Sequence, residues 1–327
     1  MSRDLVLGLD GGGTKTVVAL VARDGTVAAL RHGPGLDPYG NVDWRRDLAA
    51  LVTGIGPGQD VLIRAVLGLS CHTETRDISA AQTDCAKKLF AAPVDVLNDV
   101  HVAFEGALAG RAGVLALAGT GSMSWAGDGQ GTHRRCGGWG DIVGDEGSGY
   151  WLGREALTET TRILDGRSPR SSFAAGLLEG IGIEAGDLLA WIFGLRQRRT
   201  GIAALAAIVD GLAEAGEPTA IRLLERAAGH LVEQVETAWR LVGSPRPLVW
   251  SYAGGLFASA TLRQSLVERL GQAQAPELPP VGGAVLEAAR RAGWATDAAW
   301  RARLAGSLAD AIRSGGSPDL SRQGWTA

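Results

Sequence analysis

The chain has 327 residues, enough for one large or two ordinary domains, each with its own core. Apolar residues make up 46% and charged residues 20%, a globular composition that excludes a disordered chain. A net charge of −3 argues against nucleic acid or an anionic membrane as the main partner, and no apolar run approaches the ~20 residues of a membrane span. No basic segment followed by an apolar one reads as a leader. Cys71, Cys85 and Cys136 are far apart and lack zinc spacing; they suit a reducing compartment, and a cytoplasmic location is expected.

Glycine supplies 48 residues, about twice its usual share, and clusters near residues 8–13, 119–131 and 137–149. The first cluster lies in LGLDGGGTKTVVAL, residues 7–20. Gly8 and Gly13 have P-loop separation, but Thr14 stands between Gly13 and Lys15, and Thr16 breaks the dinucleotide fingerprint. Both motifs also run into a helix. Here Thr16 to Val21 is short, β-branched and apolar, and it stops at Asp24-Gly25, with Thr26 to Leu30 following. The stretch therefore reads as strand, glycine turn, strand, tight turn, strand: a hairpin clasp that can still take a phosphate.

Further along, Asp43 is placed to cap a helix with Leu48, Leu51, Val52 and Ile55 on one face. Val61 to Leu69 reads as a strand, and 75–90 as a helix carrying Ile78, Ala81, Cys85 and Leu89. Val94 to Leu97 is a strand delivering Asn98-Asp99 at its carboxyl end, where open α/β sheets gather ligands. A helical stretch from His101 to Gly110 follows, and Asp99 would serve either as its N-cap or as a base. VLALAGTGSMSWAGDGQG, residues 114–131, then repeats the first device: strand, Gly119-Thr120-Gly121-Ser122 turn, strand, Asp128-Gly129. One such turn is an ordinary hairpin; two suggest a duplicated domain whose clasps can grip a polyphosphate. Past residue 146 helices dominate, with one late strand from Pro247 to Tyr252 running into Ala253-Gly254-Gly255. Residues 314–327 are polar and expected to fray.

These motifs, with CGGWGDIVGDEGSGYWLGREAL at 136–157, occur in the order of a known family. Over residues 5–295 the sequence resembles the N-acetylglucosamine kinase branch of the BadF/BadG/BcrA/BcrD ATPase family, within the actin, hexokinase and Hsp70 superfamily. The resemblance implies an α/β fold of two ribonuclease-H-like lobes with a nucleotide cleft between them. The lobes would be 1–112 and 113–297, a C-terminal helix at about 298–314 returning to the first. It implies ATP and Mg2+, with Asp10 orienting the magnesium through water and Gly11, Gly12, Gly13, Thr14 and Lys15 meeting the terminal phosphates. Gly119, Thr120, Gly121 and Ser122 would form the second clasp, and Gly254 and Gly255 would let adenosine lie against the backbone. Asp99 would be the general base. Asn98, Thr120, Gly138, Trp139 and Asp145 would help shape the site of a small amino sugar, phosphorylated at its 6-hydroxyl.

The sequence departs from that branch at Gly33 to Asn41, where the usual asparagine is missing and either Asp37 or Asn41 would reach the sugar. A carboxylate there suits a free amine, so glucosamine stands beside N-acetylglucosamine. Asp145-Glu146 would equally charge the first turn of a helix starting near Ser148, and Trp139 is either packing or a platform for a sugar face. Cys71-His72 is not read as a catalytic pair, since adjacent residues leaving a strand point apart. Cys136 is read as packing, with no neighbour to activate its thiol. The alternative function is an activator ATPase of the same family, coupling hydrolysis to electron transfer, which would need clustered cysteines. A homodimer is left open.

Overall fold

The computed structural model describes residues 3–314, so the expectation for the C-terminal tail beyond 314 lies outside the described residues. The chain forms two compact units, Met1–Gly110 with Pro276–Ala327, and Arg111–Ala275. Unit 1 begins with β1 (Asp4–Gly11), β2 (Lys15–Ala22) and β3 (Val27–Pro34), an antiparallel meander. Helix α1 (Trp44–Gly54), β4 (Val61–Leu69), α2 (Arg76–Leu89), β5 (Val94–Asn98) and α3 (Asp99–Leu108) follow. The sheet order is β3-β2-β1-β4-β5, with β4 parallel to both β1 and β5.

Period-2 alternation explains the uniformly apolar central strands. Leu5, Leu7 and Leu9 of β1 join one buried cluster with Trp44, Leu48 and Ala86, and Val6 joins another. Two starts differ from expectation. Asp43 stands at the N-cap of α1 without a side-chain capping bond, its carboxylate pairing with Arg46 at 3.0 Å, and Asn41 Oδ1 accepts from its N–H. Helix α3 starts at Asp99, capped by Asn98, whose Oδ1 accepts from Val100 N at 2.9 Å.

Unit 2 opens with β6 (Gly113–Ala118), β7 (Ser122–Gly127) and β8 (His133–Gly137). Helices α4 (Gly149–Leu164), α5 (Ser172–Ile181), α6 (Leu188–Gly194), α7 (Arg198–Glu214) and α8 (Pro218–Val242) precede β9 (Trp250–Ala253) and α9 (Ala260–Leu270). The sheet order β8-β7-β6-β9 repeats β3-β2-β1-β4, with β9 parallel to β6 as β4 is to β1. The duplication read from the two glycine turns is thus a duplication of sheet topology.

The return to unit 1 comes earlier than the 298 expected. Helix α10 (Pro280–Arg291) belongs to unit 1 together with α11 (Ala298–Ser314). Close packing decides this. A Cβ on Gly8 of β1 would collide with the backbone at Val285, and Gly106 of α3 meets Gly283 backbone to backbone. Trp300 of α11 donates its indole N–H to Arg23 O at 3.0 Å, also in unit 1.

Candidate active site

In unit 1 the turn after β1 is held by main chain. Gly11 O accepts from Ser70 N at 3.0 Å and Gly12 O from Leu36 N at 3.1 Å. Gly35 lies against the Gly13–Thr14 backbone, where any Cβ would collide. A Cβ on Gly12 would meet only Lys15 O at 3.6 Å, and one on Gly13 nothing within 4 Å. The outer face of the turn is open, and Thr14 and Lys15 are exposed.

Carboxylates gather at the same end of this sheet. Gly11 registers with Leu69 and Leu69 with Asn98, so the β1 turn and the end of β5 lie two strand spacings apart, about 10 Å. Burial pushes Asp10 up to about 7, against the pull of Lys15. Burial, then the Asp10 and Glu74 carboxylates, push Asp99 up to about 8, while its bond from Val100 N opposes the rise. Asn98 fixes this corner, its amide donating to His72 O at 2.8 Å and to Glu74 Oε1 at 3.4 Å. Since Asn98 is the cap, Asp99 is not needed in that role.

Asp37 accepts from Tyr39 N at 3.0 Å and lies 3.5 Å from Cys71 Sγ. Asn41 is committed elsewhere, to Gly35 O, Asp47 and Asp43 N, which leaves Asp37 as the side chain of that loop facing the cluster. Burial and then Asp37, Glu74 and Asp99 hold the Cys71 thiol protonated. His72 is buried and bonded to Gln82, and burial lowers its pKa, so the Cys-His pair is structural.

Unit 2 carries the other expected residues, braced differently. Gly119 O accepts from Gly149 N at 2.8 Å and Thr120 O from Tyr150 N at 3.2 Å, fastening the turn to the start of α4. Ser122 N donates to Asp145 Oδ1 at 3.2 Å, and Ser122 Oγ donates to Glu146 O at 2.7 Å, an oxygen that also accepts from Gln234. Asp145 is buried with φ 56°, in left-handed backbone, and pairs with Arg199 at 2.6 Å. Burial raises its pKa and Arg199 opposes the rise.

Two glycines here have packing reasons of their own. A Cβ on Gly121 would lie 2.7 Å from the Arg199 guanidinium and 2.9 Å from the Asp145 carboxylate. Gly254, at φ 103°, abuts the Ala118–Gly119 backbone, whereas Gly255 faces open space. Gly138 N donates to Ser122 O at 3.0 Å. Trp139 is 68% exposed, with the Arg135 guanidinium 5.2 Å over its ring, so it is a presented ring rather than core.

A family model described as the BadF/BadG/BcrA/BcrD ATPase family matches residues 7–288. The chain belongs to this family. Within it, the chain is 27% identical over 259 residues to an N-acetylmuramic acid/N-acetylglucosamine kinase of Clostridium acetobutylicum, covering 77% of this chain and 85% of the relative. It is 28% identical over 277 residues to an N-acetyl-D-glucosamine kinase of Dictyostelium discoideum, covering 78% and 86%. Among solved structures, a provisionally assigned N-acetylglucosamine kinase of Chromobacterium violaceum is similar with a TM-score of 0.72 and 28% identity, over 87% of this chain and 98% of that one. The expected two-lobed α/β class is the fold observed. No helix among the described residues is long and apolar enough to cross a membrane.

Sequence reasoning missed Glu74, Gln234 and Arg199. Glu74 follows Cys71 and Thr73, both at positive φ, a bend that apolar periodicity does not mark. Gln234 and Arg199 reach the second turn from distant helices and carry no local signal.

Proposed function

We propose that this chain transfers the γ-phosphoryl group of ATP to the 6-hydroxyl of an amino sugar, N-acetylglucosamine or glucosamine. The observation that carries this reading is Asp99, a crowded carboxylate at the carboxyl end of β5, level with an open glycine turn. The step runs through the ionised form of Asp99, a fraction that grows as pH rises towards 8: the hydroxyl proton passes to that carboxylate, the hydroxyl oxygen bonds to phosphorus, and the bond to the β-phosphate oxygen breaks, releasing ADP. The turn at Gly11–Thr14 would offer backbone N–H groups to phosphate oxygens, and the second turn would offer those of Thr120 and Gly121, since Gly119 N donates to Gly121 O and Ser122 N to Asp145. Crowded oxygen donors at Asp10 and Asp99, with pKa values raised by burial, fit a hard divalent cation, and Asp10 would hold Mg2+ through water. Mg2+ would supply neutralisation of the phosphate charge.

Coupled ADP release tests the reading, measured with glucose, glucosamine, N-acetylglucosamine, N-acetylmannosamine, N-acetylmuramic acid and no sugar. The expected result is release dependent on an amino sugar, with phosphorus NMR placing the product phosphate on the 6-position. Equal release without any sugar would sink it in favour of an ATPase. If Asp37 meets a 2-amino group, Asp37→Asn lowers kcat/KM for glucosamine about ten- to a hundredfold more than for N-acetylglucosamine.

A further inference from the structure

Three arginines of unit 2, Arg222, Arg226 and Arg269, line a shallow groove along α8 and α9, but Arg226 is already paired with Glu155 and all three are exposed. Arg199 is placed otherwise. It stands in the first turn of α7, 54 residues beyond Asp145, and its guanidinium lies on the face of Gly121 that has no side chain. One nitrogen donates to Asp145 Oδ2 at 2.6 Å, and Nε lies 3.6 Å from Asp141 Oδ1. The other oxygen of Asp145 accepts from the Ser122 backbone N–H, the last residue of the glycine turn.

We infer that Arg199 is a positioning residue for the phosphate-binding turn of unit 2, acting through the Asp145 carboxylate. Three observations converge. Asp145 has left-handed backbone, uncommon for a residue with a side chain. Its carboxylate links that position to the turn backbone at Ser122. Gly121 lacks a Cβ where the Asp145–Arg199 pair sits, so turn and pair are fitted to each other. Without Arg199 a buried carboxylate loses its counter-charge, and the N–H that it orients is released. Asp141 and Asp145 stand in the loop carrying Trp139, so Arg199 also ties that loop to the turn.

This inference rests on the kinase reading, and binding of ATP alone separates the two. ATP affinity is measured by calorimetry, well below the melting temperature, for wild type, Arg199→Met, Arg199→Lys, Asp145→Asn and the Arg199→Met/Asp145→Asn double variant. Arg199→Met is expected to weaken ATP about tenfold or more, a displaced turn being costly for bound phosphate. Lysine is expected to restore part of the loss, and the double variant to lose no more than the worse single one, because both act through one carboxylate. A purely structural role would lower the melting temperature and leave the affinity of the folded protein unchanged. Should Arg199→Met not fold, Arg199→Gln takes its place with the same two readings. Wild-type binding with folded Arg199→Met within twofold of it, or additive losses in the double variant, would overturn the inference alone. Wild-type protein that binds no ATP would overturn the kinase reading with it.

Discussion

In unit 1 the glycine turn is held by three backbone contacts, from Ser70, Leu36 and Gly35, and what crowds around it is negative charge. In unit 2 the matching turn is fastened to the start of α4, to Asp145 and, through Glu146, to Gln234 of α8. Topologically the two are copies; chemically they have diverged. Unit 1 keeps its turn open and concentrates ionisable groups beside it, an arrangement that fits the proton transfer and cation binding proposed above. Unit 2 surrounds its turn with bracing, which suits a fixed cradle. Duplication preserved the backbone path, and the long helical insertion between β8 and β9 supplied the side chains that brace one copy only.

The largest test of this contrast is Asp99→Asn. Because Asn98 is the cap, asparagine at 99 leaves α3 intact, and ATP affinity is expected near wild type while kcat falls about a hundredfold or more. Near-normal turnover by a folded variant that binds ATP would dissolve the chemical role of unit 1. Asp145→Ala is expected to act through stability instead, costing about 2–3 kcal/mol in denaturant unfolding. That is below the full cost of breaking a buried pair because the guanidinium is 39% exposed. A loss under ~0.5 kcal/mol would mean that unit 2's turn is not braced. Gly12→Ala has room for its methyl group, so calorimetry is expected to show ATP affinity reduced about tenfold with no change in melting temperature. The same change at Gly121, which collides with the Asp145–Arg199 pair, is expected to lower both.

The smallest effect is one of pH. Asp99 is raised from the ordinary carboxylate range to about 8, so the folded protein holds a proton that the unfolded chain releases. Stability linked to this group is complete below about pH 4 and is lost as pH rises towards 8. Asp99→Asn lacks that loss, and above pH 8 it is expected to be more stable than wild type by on the order of 1–2 kcal/mol, a modest figure because residue 99 is only half-buried. A wild-type advantage at that pH would contradict the crowding.

What could be read from the sequence follows from how local each signal is. The turns at Gly11–Thr14 and Gly119–Ser122 announce themselves because a hairpin's strands, turn residues and length lie in one stretch. Strand β8 did not, since HRRCG is short, polar and an edge strand with little apolar alternation. At the start of α3 the sequence leaves Asp99 as either cap or base, because Asn98 and Asp99 are both good caps and only geometry selects Asn98. The owner of α10 was missed because PVGGAVLEAA has a small-residue face whose partner, Gly106 of α3, is far away in sequence. Arg199 is the extreme case: nothing near it in sequence tells that it faces Asp145.

That same return of the chain sets a schedule for synthesis. The first unit cannot be finished when its own 110 residues have left the ribosome, because β1 still lacks α10 against Gly8. Residues 111–275 must be translated first, which takes roughly 10–30 s at ~5–20 residues per second. Through that interval the apolar face including Val6, Val21 and Val66 has only Val102 and Ala109, from α3 and its end, to cover it, without α10 and α11. The second unit, contiguous in the chain, can close while the first waits.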